Sequence, residues 1–505
     1  MHEPERDLSD TPPDEFRRQL HELADWVADF RQNLGSLPVA PDLVLTGSGA
    51  ILDSLSTEPP EKGEPFERIL SDIDRAIVPG MVHWSHPMFL GYFGWTTTAP
   101  AILGEMITAP LNVNAMTWRT CPAATELETL VVDWIRLWMN LPREFGGVVY
   151  DTASVGVMHA LAIAREEAVP SIRKRGLIAA SAPVFRIYAS EQAHSSAEKA
   201  AIALGLGEEN VQRIPADTQF RLDPGALSDM IRRDIRDHFQ PLAVIATVGT
   251  TSTASVDPVP QIARICRDNK MWLHIDGAYG AGFAILPENK WLTNGWAEAD
   301  SIVVNPHKTL FVPLDFSVLY VRDLERLRHV FTLVPEYLRG DTVEAQKNYM
   351  DYGIQLGRRF RALKAWVIFR SLGRERMADW LREYIRLAHL FAQWIKDDSR
   401  FELAAPVSLA VVCFRFVGRD NSRRRPVPTA GPALAHYHSN RPNESEIDQL
   451  NSEIVEKINA SGRAYLTQTK LRGRTVMRIG VGNVLTTENH LREAWKMIRE
   501  AASAS

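Results

Sequence analysis

The stretch Ser301-Ile302-Val303-Val304-Asn305-Pro306-His307-Lys308-Thr309-Leu310 decides the fold, because it joins an apolar run to a tight turn that carries an amine. The run predicts a short strand buried on both faces, and the proline ends it. An upstream run, Met271-Trp272-Leu273-His274-Ile275-Asp276, has the same pattern and ends in a carboxylate. Ligands of open α/β sheets bind beyond the carboxyl ends of the strands, so Lys308 and Asp276 are expected at one site.

An amine and a carboxylate placed in this way are the two protein groups that pyridoxal phosphate (PLP) needs. The lysine forms a Schiff base with the cofactor. The carboxylate keeps the pyridine nitrogen protonated, so that the ring withdraws electrons from the substrate α-carbon. A lysine at a strand end is by itself usually a solvated charge, and it is the surrounding segments that favour a cofactor site.

Short strands rich in Val, Ile, Leu and Ala alternate with helices from about residue 145 to 325. This alternation predicts an α/β fold with a mostly parallel central sheet flanked by helices. Strands are expected at 184–189, 242–248, 272–276 and 301–305. His194 and Thr251 also follow predicted strands, which places them at the same edge as Asp276 and Lys308.

The two ends of the chain follow other patterns. Apolar residues recur at three- and four-residue steps from about residue 14 to 34, which predicts an N-terminal helix whose stripe needs a partner surface. A long helix around 358–390 leads to strands at 409–416 and 475–481, which are typical of a smaller α+β unit. The Arg- and Pro-rich segment 418–443 between these strands is interpreted as an exposed loop.

Composition excludes several classes of function. The chain has 505 residues, 45% of them hydrophobic, and a formal net charge of −5 with dispersed basic residues, so no nucleic-acid partner is expected. Its three cysteines are far apart, which argues against disulfides and a Cys-rich metal site. The polar N-terminus and the lack of a long apolar run predict no signal peptide, no membrane span and a cytoplasmic location.

Two helix starts are candidates for cofactor contacts. Asp151-Thr152-Ala153-Ser154 opens a helical pattern, so its hydroxyls and free amides could receive a phosphate, although a plain helix cap would have the same sequence. Ser195 and Glu198 have the spacing of a capping box, which places His194 just before a helix. Its ring could stack on a planar cofactor or be structural.

An aromatic segment, His83-Trp84-Ser85-His86-Pro87 with the following Phe89, Tyr92, Phe93 and Trp95, is interpreted as a pocket wall, although an ordinary core could use the same residues. A metal site at His83 and His86 is disfavoured because no carboxylate or cysteine accompanies them.

Together these segments resemble the group II PLP-dependent amino-acid decarboxylases, the family of aromatic-L-amino-acid decarboxylase. Six segments in the family's order carry the resemblance: Pro79-Gly80-Met81-Val82-His83-Trp84, Thr125-Glu126-Leu127-Glu128, Gln192-Ala193-His194-Ser195-Ser196, Leu273-His274-Ile275-Asp276-Gly277-Ala278-Tyr279, Asn305-Pro306-His307-Lys308 and Leu356-Gly357-Arg358-Arg359-Phe360. The resemblance covers the chain from about Phe16 to the last strands. It implies fold type I, as in aspartate aminotransferase.

The resemblance implies a role for each matching residue. Lys308 is the Schiff-base lysine, Asp276 the partner of the pyridinium nitrogen and His194 the stacking residue. Tyr349, counted back from Leu356-Gly357-Arg358-Arg359 to the family's mobile-loop tyrosine, is the acid that protonates the α-carbon. Further cofactor contacts are implied for Ala153, Ser154, Thr251, Asn305 and His307, and substrate contacts for Trp84, Tyr92, Phe93, Trp95, Asn114, Met116 and Gly357.

The resemblance also implies a homodimer with shared sites, in which Asn114 and Met116 reach the neighbour's pocket. The predicted parts are an N-terminal helical dimerisation segment at 1–95, a large PLP-binding domain at 96–385 and a small C-terminal α+β domain at 386–505. The lid is expected at about 338–352. No metal is expected.

The implied activity is decarboxylation of an aromatic L-amino acid, of the tryptophan, 5-hydroxytryptophan, DOPA, tyrosine or phenylalanine class, to the arylalkylamine and CO2. Gly357 occupies a position where a small residue goes with larger rings, which favours an indole or catechol. Departures from the family pattern, such as Thr309, Val155 and Asn114, fall around the pocket rather than in the catalytic set. An aromatic aldehyde synthase and a fold type I aminotransferase are the alternatives, and Tyr rather than Phe at 349 argues against the synthase.

Overall fold

The computed structural model describes residues 10–41, 49–56, 58–333, 347–418 and 443–503. The predicted loop at 418–443 therefore lies almost wholly outside the described residues, as does most of the predicted lid. Among the helices described, none is long and apolar enough to cross a membrane.

A seven-stranded sheet forms the centre of the molecule. Its strands, in chain order, are β1 (Gly146–Tyr150), β2 (Phe185–Ser190), β3 (Val211–Ile214), β4 (Gln240–Thr247), β5 (Trp272–Gly277), β6 (Ser301–Val304) and β7 (Ser317–Val321). The spatial order is β1-β7-β6-β5-β4-β2-β3. Neighbours from β6 to β3 are parallel, whereas β7 runs antiparallel to both β6 and β1. The predicted mostly parallel sheet is confirmed, and the four predicted strands lie within about two residues of the observed ones.

Side chains of successive strand residues enter two separate cores, one on each face of the sheet. Ile302 and Val304 of β6 belong to the larger core, and Val303 between them belongs to the second. Both faces are therefore apolar, which explains why these strands read as continuous hydrophobic runs.

Helices cover both faces and connect the strands. Those of the large sheet region are Ala99–Leu111, Pro122–Trp138, Ala153–Ala168, Ile172–Ala179, Ser196–Ala203, Pro224–Arg236, Val259–Asp268, Pro306–Thr309 and Leu324–Phe331.

A smaller antiparallel sheet follows in the C-terminal part. Its order is β10-β11-β9-β8, from β8 (Phe401–Leu403), β9 (Val411–Phe416), β10 (Thr467–Leu471) and β11 (Arg474–Gly480). The helices Glu444–Ala460 and Glu488–Ser503 accompany it. The long helix Arg361–Asp397 links the two sheets, so the predicted boundary at residue 385 falls inside a helix.

The N-terminal helix runs from Pro13 to Asn33, close to the predicted span, and short helices follow at Ala50–Asp53 and Phe66–Asp72. Trp26 Nε1 donates to Asp74 Oδ1 at 2.9 Å, which holds one side of the first helix to its own subunit. No residue of the helix Pro13–Asn33 is fully buried by the described part of the chain, and Phe16 is 53% exposed. The apolar stripe thus lacks a complete partner within one subunit.

Candidate active site

Lys308 lies in the short helix Pro306–Thr309 that follows β6. Its Nζ lies 5.2 Å from the centre of the Phe93 ring. No hydrogen bond or ion pair to this amine occurs among the described residues. Burial lowers the pKa of Lys308, and Asp276 opposes that shift. An amine held without a partner and with a reduced proton affinity suits a nucleophile.

Asp276 and His194 accompany Lys308. Asp276 stands near the end of β5, where Oδ1 accepts from the Ala278 amide at 3.0 Å. Oδ2 has no partner in the residues that the structure describes. Desolvation lowers the pKa of His194, Asp276 raises it and Lys308 lowers it. The three groups thus interact electrostatically, as the sheet-edge prediction requires.

The predicted capping box at Ser195 is wrong. Ser195 makes no side-chain cap, and Glu198 pairs with Arg213 instead. The histidine does the capping, because His194 Nδ1 accepts from the Ser196 amide at 3.1 Å. This bond orients the ring, and Nε2 has no hydrogen-bond partner among the described residues.

Asn305 and His307 brace the turn that carries Lys308. Asn305 Oδ1 accepts from Ser317 Oγ at 2.6 Å, and His307 Nδ1 accepts from the Phe316 amide at 3.0 Å. Burial, assisted by Lys308, lowers the pKa of His307 to about 3, so the ring is neutral at physiological pH. Both side chains therefore attach the lysine turn to the start of β7, while Asn305 Nδ2 and His307 Nε2 have no hydrogen-bond partner in the residues that the structure describes.

The candidate phosphate site is the N-terminus of the helix Ala153–Ala168, directly after β1. Thr152 makes no side-chain cap there, and Asp151 Oδ1 accepts from the Thr152 amide at 2.7 Å. The amides of Ala153, Ser154 and Val155 and the Ser154 hydroxyl have no partner in the described part of the chain. Donors without acceptors at a helix N-terminus form an anion site.

The aromatic residues predicted to form a pocket wall pack against one another. The Phe93 ring stacks on Tyr279 with centroids 3.8 Å apart, and Trp84 lies 5.1 Å from Tyr92 and 4.9 Å from Trp95. Trp95 in turn lies 5.9 Å from His307, which connects the wall to the lysine turn.

The two histidines of the aromatic segment serve the fold. His86 Nδ1 accepts from the Met88 amide at 2.9 Å, and His83 contacts the Phe30 ring. The described residues contain no cluster of three or more His, Cys, Asp or Glu that could hold a metal.

Arg478 of β11 lies beside the candidate site, and the sequence pattern did not reveal it. It donates to the carbonyls of Ser252 at 2.9 Å, Thr251 at 3.0 Å and Tyr92, and its guanidinium lies 4.9 Å from the Phe93 ring. It also lines a cavity of about 430 Å³ beside Phe93 and Thr251. No carboxylate pairs with it in the described residues, so a buried cation faces the pocket without a counter-ion.

Asn114, Met116 and Gly357 form a second group, and no described contact joins it to Lys308 in one subunit. Asn114 Nδ2 lies 3.5 Å from Met116 Sδ and 3.9 Å from the point where a Gly357 Cβ would stand. The exposed side chains of Ile354 and Leu356 flank this group.

Tyr349 lies away from the Lys308 group as well. It is buried, its hydroxyl is 3.0 Å from Thr129 Oγ1 and accepts from Lys347 Nζ at 3.1 Å, and Arg358 lies 4.5 Å from its ring. Burial raises the pKa of Tyr349 well above its ordinary value. In the described structure it is thus a core residue with a bound hydroxyl, not a side chain at its own subunit's pocket.

The residues present fit PLP on chemical grounds. An unpartnered amine, a carboxylate with one free oxygen, a fixed imidazole and a helix N-terminus with free donors correspond to the reactive carbon, ring nitrogen, ring face and phosphate of that cofactor. These four groups lie at the ends of four different strands, β6, β5, β2 and β1.

Comparison with known proteins agrees with this geometry. The model of the pyridoxal-dependent decarboxylase conserved domain matches residues 49–417. Tryptophan decarboxylase 2 of Oryza sativa subsp. japonica is 34% identical over 97% of this chain and 95% of its own length. Phenylacetaldehyde synthase of Arabidopsis thaliana is 33% identical over 97% and 96%.

A solved structure shows the same likeness. The crystal structure of Oryza sativa TDC with PLP and tryptamine superposes with a TM-score of 0.88 at 33% identity, covering 99% of both chains. The chain therefore belongs to the pyridoxal-dependent decarboxylase family, which confirms the predicted family, fold type I and PLP as the cofactor.

Proposed function

We propose that the protein decarboxylates an aromatic L-amino acid to the arylalkylamine and CO2. The observation that carries this proposal is the unpartnered Lys308 amine beside an aromatic wall and the unpaired Arg478 cation. An apolar ring, a carboxylate and an amine are the three parts of such a substrate.

Bound PLP supplies an electron sink for the bond between the α-carbon and the carboxylate. Asp276 supports that sink with its negative charge at the end of β5, and His194 holds the ring face through an imidazole that the Ser196 amide orients. Ala153, Ser154, Asn305 and His307 are proposed to surround the phosphate. Thr251, whose carbonyl is fixed by Arg478, lies at the rim.

Two subunits are proposed to build each site. Lys308, Trp84, Tyr92, Phe93 and Trp95 come from one subunit, and the group of Asn114, Met116 and Gly357 comes from the other. The exposed apolar residues Leu103, Ile107 and Leu111 on the helix Ala99–Leu111, together with Ile354 and Leu356, support a homodimer, because such a patch is rarely left in water. We also propose a cytoplasmic location.

The proton donor to the α-carbon is proposed to come from the segment 338–352, with Tyr349 as the first candidate. Because Thr129 and Lys347 hold its hydroxyl, Tyr349 can act only if these bonds break when substrate binds. Aldehyde synthesis is the second candidate function, since a similar relative is an aldehyde synthase and the described structure keeps Tyr349 away from the pocket of its own subunit.

The test is a panel of aromatic L-amino acids with amine, aldehyde and keto acid all quantified. We expect amine and CO2 in equal amounts from the wild type and none from Lys308→Ala. Lys290→Ala removes an exposed lysine instead and should behave as wild type. If aldehyde is the main product, the protein is an aldehyde synthase. If keto acid is the main product, it is an aminotransferase.

A further inference from the structure

The amide of Asn114 marks a position for a hydrogen-bond acceptor. Its Oδ1 accepts from the Arg358 backbone N–H at 2.9 Å. A flipped amide would set two donors against each other there, so the orientation is fixed by the backbone. The Nδ2 group must therefore point away from Arg358, toward Met116 and Gly357.

One of the two N–H groups of Asn114 Nδ2 has no acceptor among the described residues. An amide nitrogen carries two N–H groups, and the partner found in the described residues is the weakly accepting Met116 sulfur at 3.5 Å. Asn114 is exposed in a single subunit, so water satisfies the second N–H there. Once a pocket closes over it, that N–H needs an acceptor from the ligand, because an unsatisfied donor destabilises the complex.

Gly357 leaves the space in front of this donor empty. A Cβ built on Gly357 would meet nothing closer than Asn114 Nδ2 at 3.9 Å, and its backbone does not require glycine. The subunit's own packing would tolerate a side chain at this point. The empty space at Gly357 is therefore not required by the packing of the subunit.

We infer that this site selects aromatic L-amino acids whose ring carries a hydroxyl, such as a phenol, catechol or hydroxyindole. The ring oxygen accepts from Asn114 Nδ2 in the space above Gly357. An unsubstituted phenyl ring has no acceptor, and an unsubstituted indole offers only an N–H donor, so both leave the amide unsatisfied. This inference rests on the proposed decarboxylation and on the two-subunit site.

Matched substrate pairs test it. Tyrosine against phenylalanine and 5-hydroxytryptophan against tryptophan differ by one hydroxyl, and kcat/KM for amine formation is measured for each with PLP-saturated enzyme. We expect the wild type to prefer the hydroxylated member by about tenfold or more in both pairs, because a site built to bond a hydroxyl rejects the analogue that lacks it.

Asn114→Leu keeps the size of the side chain and removes the donor, so it should bring both ratios to within about threefold of one. Met116→Leu is the matched control, since it changes an adjacent contact without removing a donor and should alter both members of a pair by the same factor. Wild-type ratios near one, or ratios unchanged in Asn114→Leu, would overturn the inference.

A separate outcome would concern the proposed function. If none of the four amino acids yields amine, decarboxylation of aromatic substrates fails, whatever Asn114 does. If Asn114→Leu does not retain PLP, inhibition of the wild type by tyramine against 2-phenylethylamine decides instead. Tyramine must then bind about tenfold more tightly, and equal inhibition would refute the role of the amide.

Discussion

Arg358 and Glu128 form a buried ion pair that joins the segments around Asn114 and Gly357. Arg358 Nη2 lies 2.8 Å from Glu128 Oε1, and both side chains are at most 4% exposed. The same guanidinium donates to the Val149 carbonyl at 2.8 Å, and the Ala115 amide donates to the Arg358 carbonyl at 2.8 Å. The pair thus ties β1, which precedes the candidate phosphate site, to the loop of Asn114.

Glu128→Gln should lower the free energy of unfolding by about 3–5 kcal/mol, because it keeps the shape but leaves the Arg358 charge buried and unpaired. Urea unfolding with the cofactor present measures this change. Glu383→Gln breaks an exposed pair with Arg386 and should cost less than about 1 kcal/mol. Equal effects of the two variants would show that burial does not govern this pair.

Tyr349→Phe tests the proposed proton donor. If Tyr349 donates the proton, amine formation slows by roughly 10² to 10⁴, and aldehyde with hydrogen peroxide forms in air, while the bound PLP absorbance stays unchanged. Tyr352→Phe and Tyr337→Phe are the matched variants, since their tyrosines lie in the same stretch of sequence.

If Tyr349→Phe makes amine at the wild-type rate, Tyr349 is not the proton donor. It is then a structural residue that packs in the core beside Thr129. The proton donor is the tyrosine whose replacement by phenylalanine changes the main product from amine to aldehyde.

Residues were predictable where a strand fixes their position. Lys308 and Asp276 follow apolar runs directly, so the sheet determines where they lie. Tyr349 was selected by counting along a loop, where length is not fixed by hydrogen bonding, and its contacts did not follow from the count. Arg478 could not be found, because its partners Tyr92 and Thr251 lie more than 200 residues away in sequence.

At the scale of elements, the N-terminal helix Pro13–Asn33 keeps exposed apolar residues in the single subunit. Phe16→Asp combined with Leu20→Asp places two charges on its exposed apolar stripe. We expect the variant to be largely monomeric by analytical ultracentrifugation and to lose amine formation, because the proposed site needs both subunits. Asp25→Asn alters the opposite face of the helix and should leave the dimer intact. A dimeric double variant would place the interface elsewhere.

Strands and long helices were predicted closely, because their hydrophobic pattern reflects the two cores directly. The capping box at Ser195 failed because Arg213 on β3 attracts Glu198 away from the helix start. Local spacing predicts a cap only when no tertiary partner competes. The helix Arg361–Asp397 likewise continues through the residue at which the sequence suggested a new domain.

At the scale of the molecule, buried histidines set the response to acid. Desolvation lowers the pKa of His159 to about 3 and that of His274 to about 4, and His307 is lowered to about 3. In the unfolded chain these groups titrate near 6.5, so unfolding takes up protons below that pH. Their contribution to stability is complete above pH 6.5 and is lost progressively as the pH falls toward 3.

His159→Phe should reduce the slope of the free energy of unfolding against pH by about 1.4 kcal/mol per pH unit between pH 6 and 4.5, because one proton fewer is taken up on unfolding. Both ring nitrogens of His159 lack partners in the described structure, and Tyr150 and Phe331 surround the ring, so phenylalanine suits the site. Denaturant titrations at several pH values measure the slope. His389→Gln removes an exposed histidine as the control, and an equal flattening there would argue against a role for burial.

Arg478 lies 170 residues after Lys308 in the sequence, which has a consequence for biosynthesis. A ribosome releases Lys308 and the aromatic segment long before it delivers β11, so the nascent polypeptide holds Tyr92 and Thr251 without the guanidinium that joins them. A premature stop codon after residue 418 would still encode every strand of the central sheet and Lys308. Such a fragment would lack the guanidinium that joins Tyr92 to Thr251, so we expect the candidate site to be completed only after β11 has been translated.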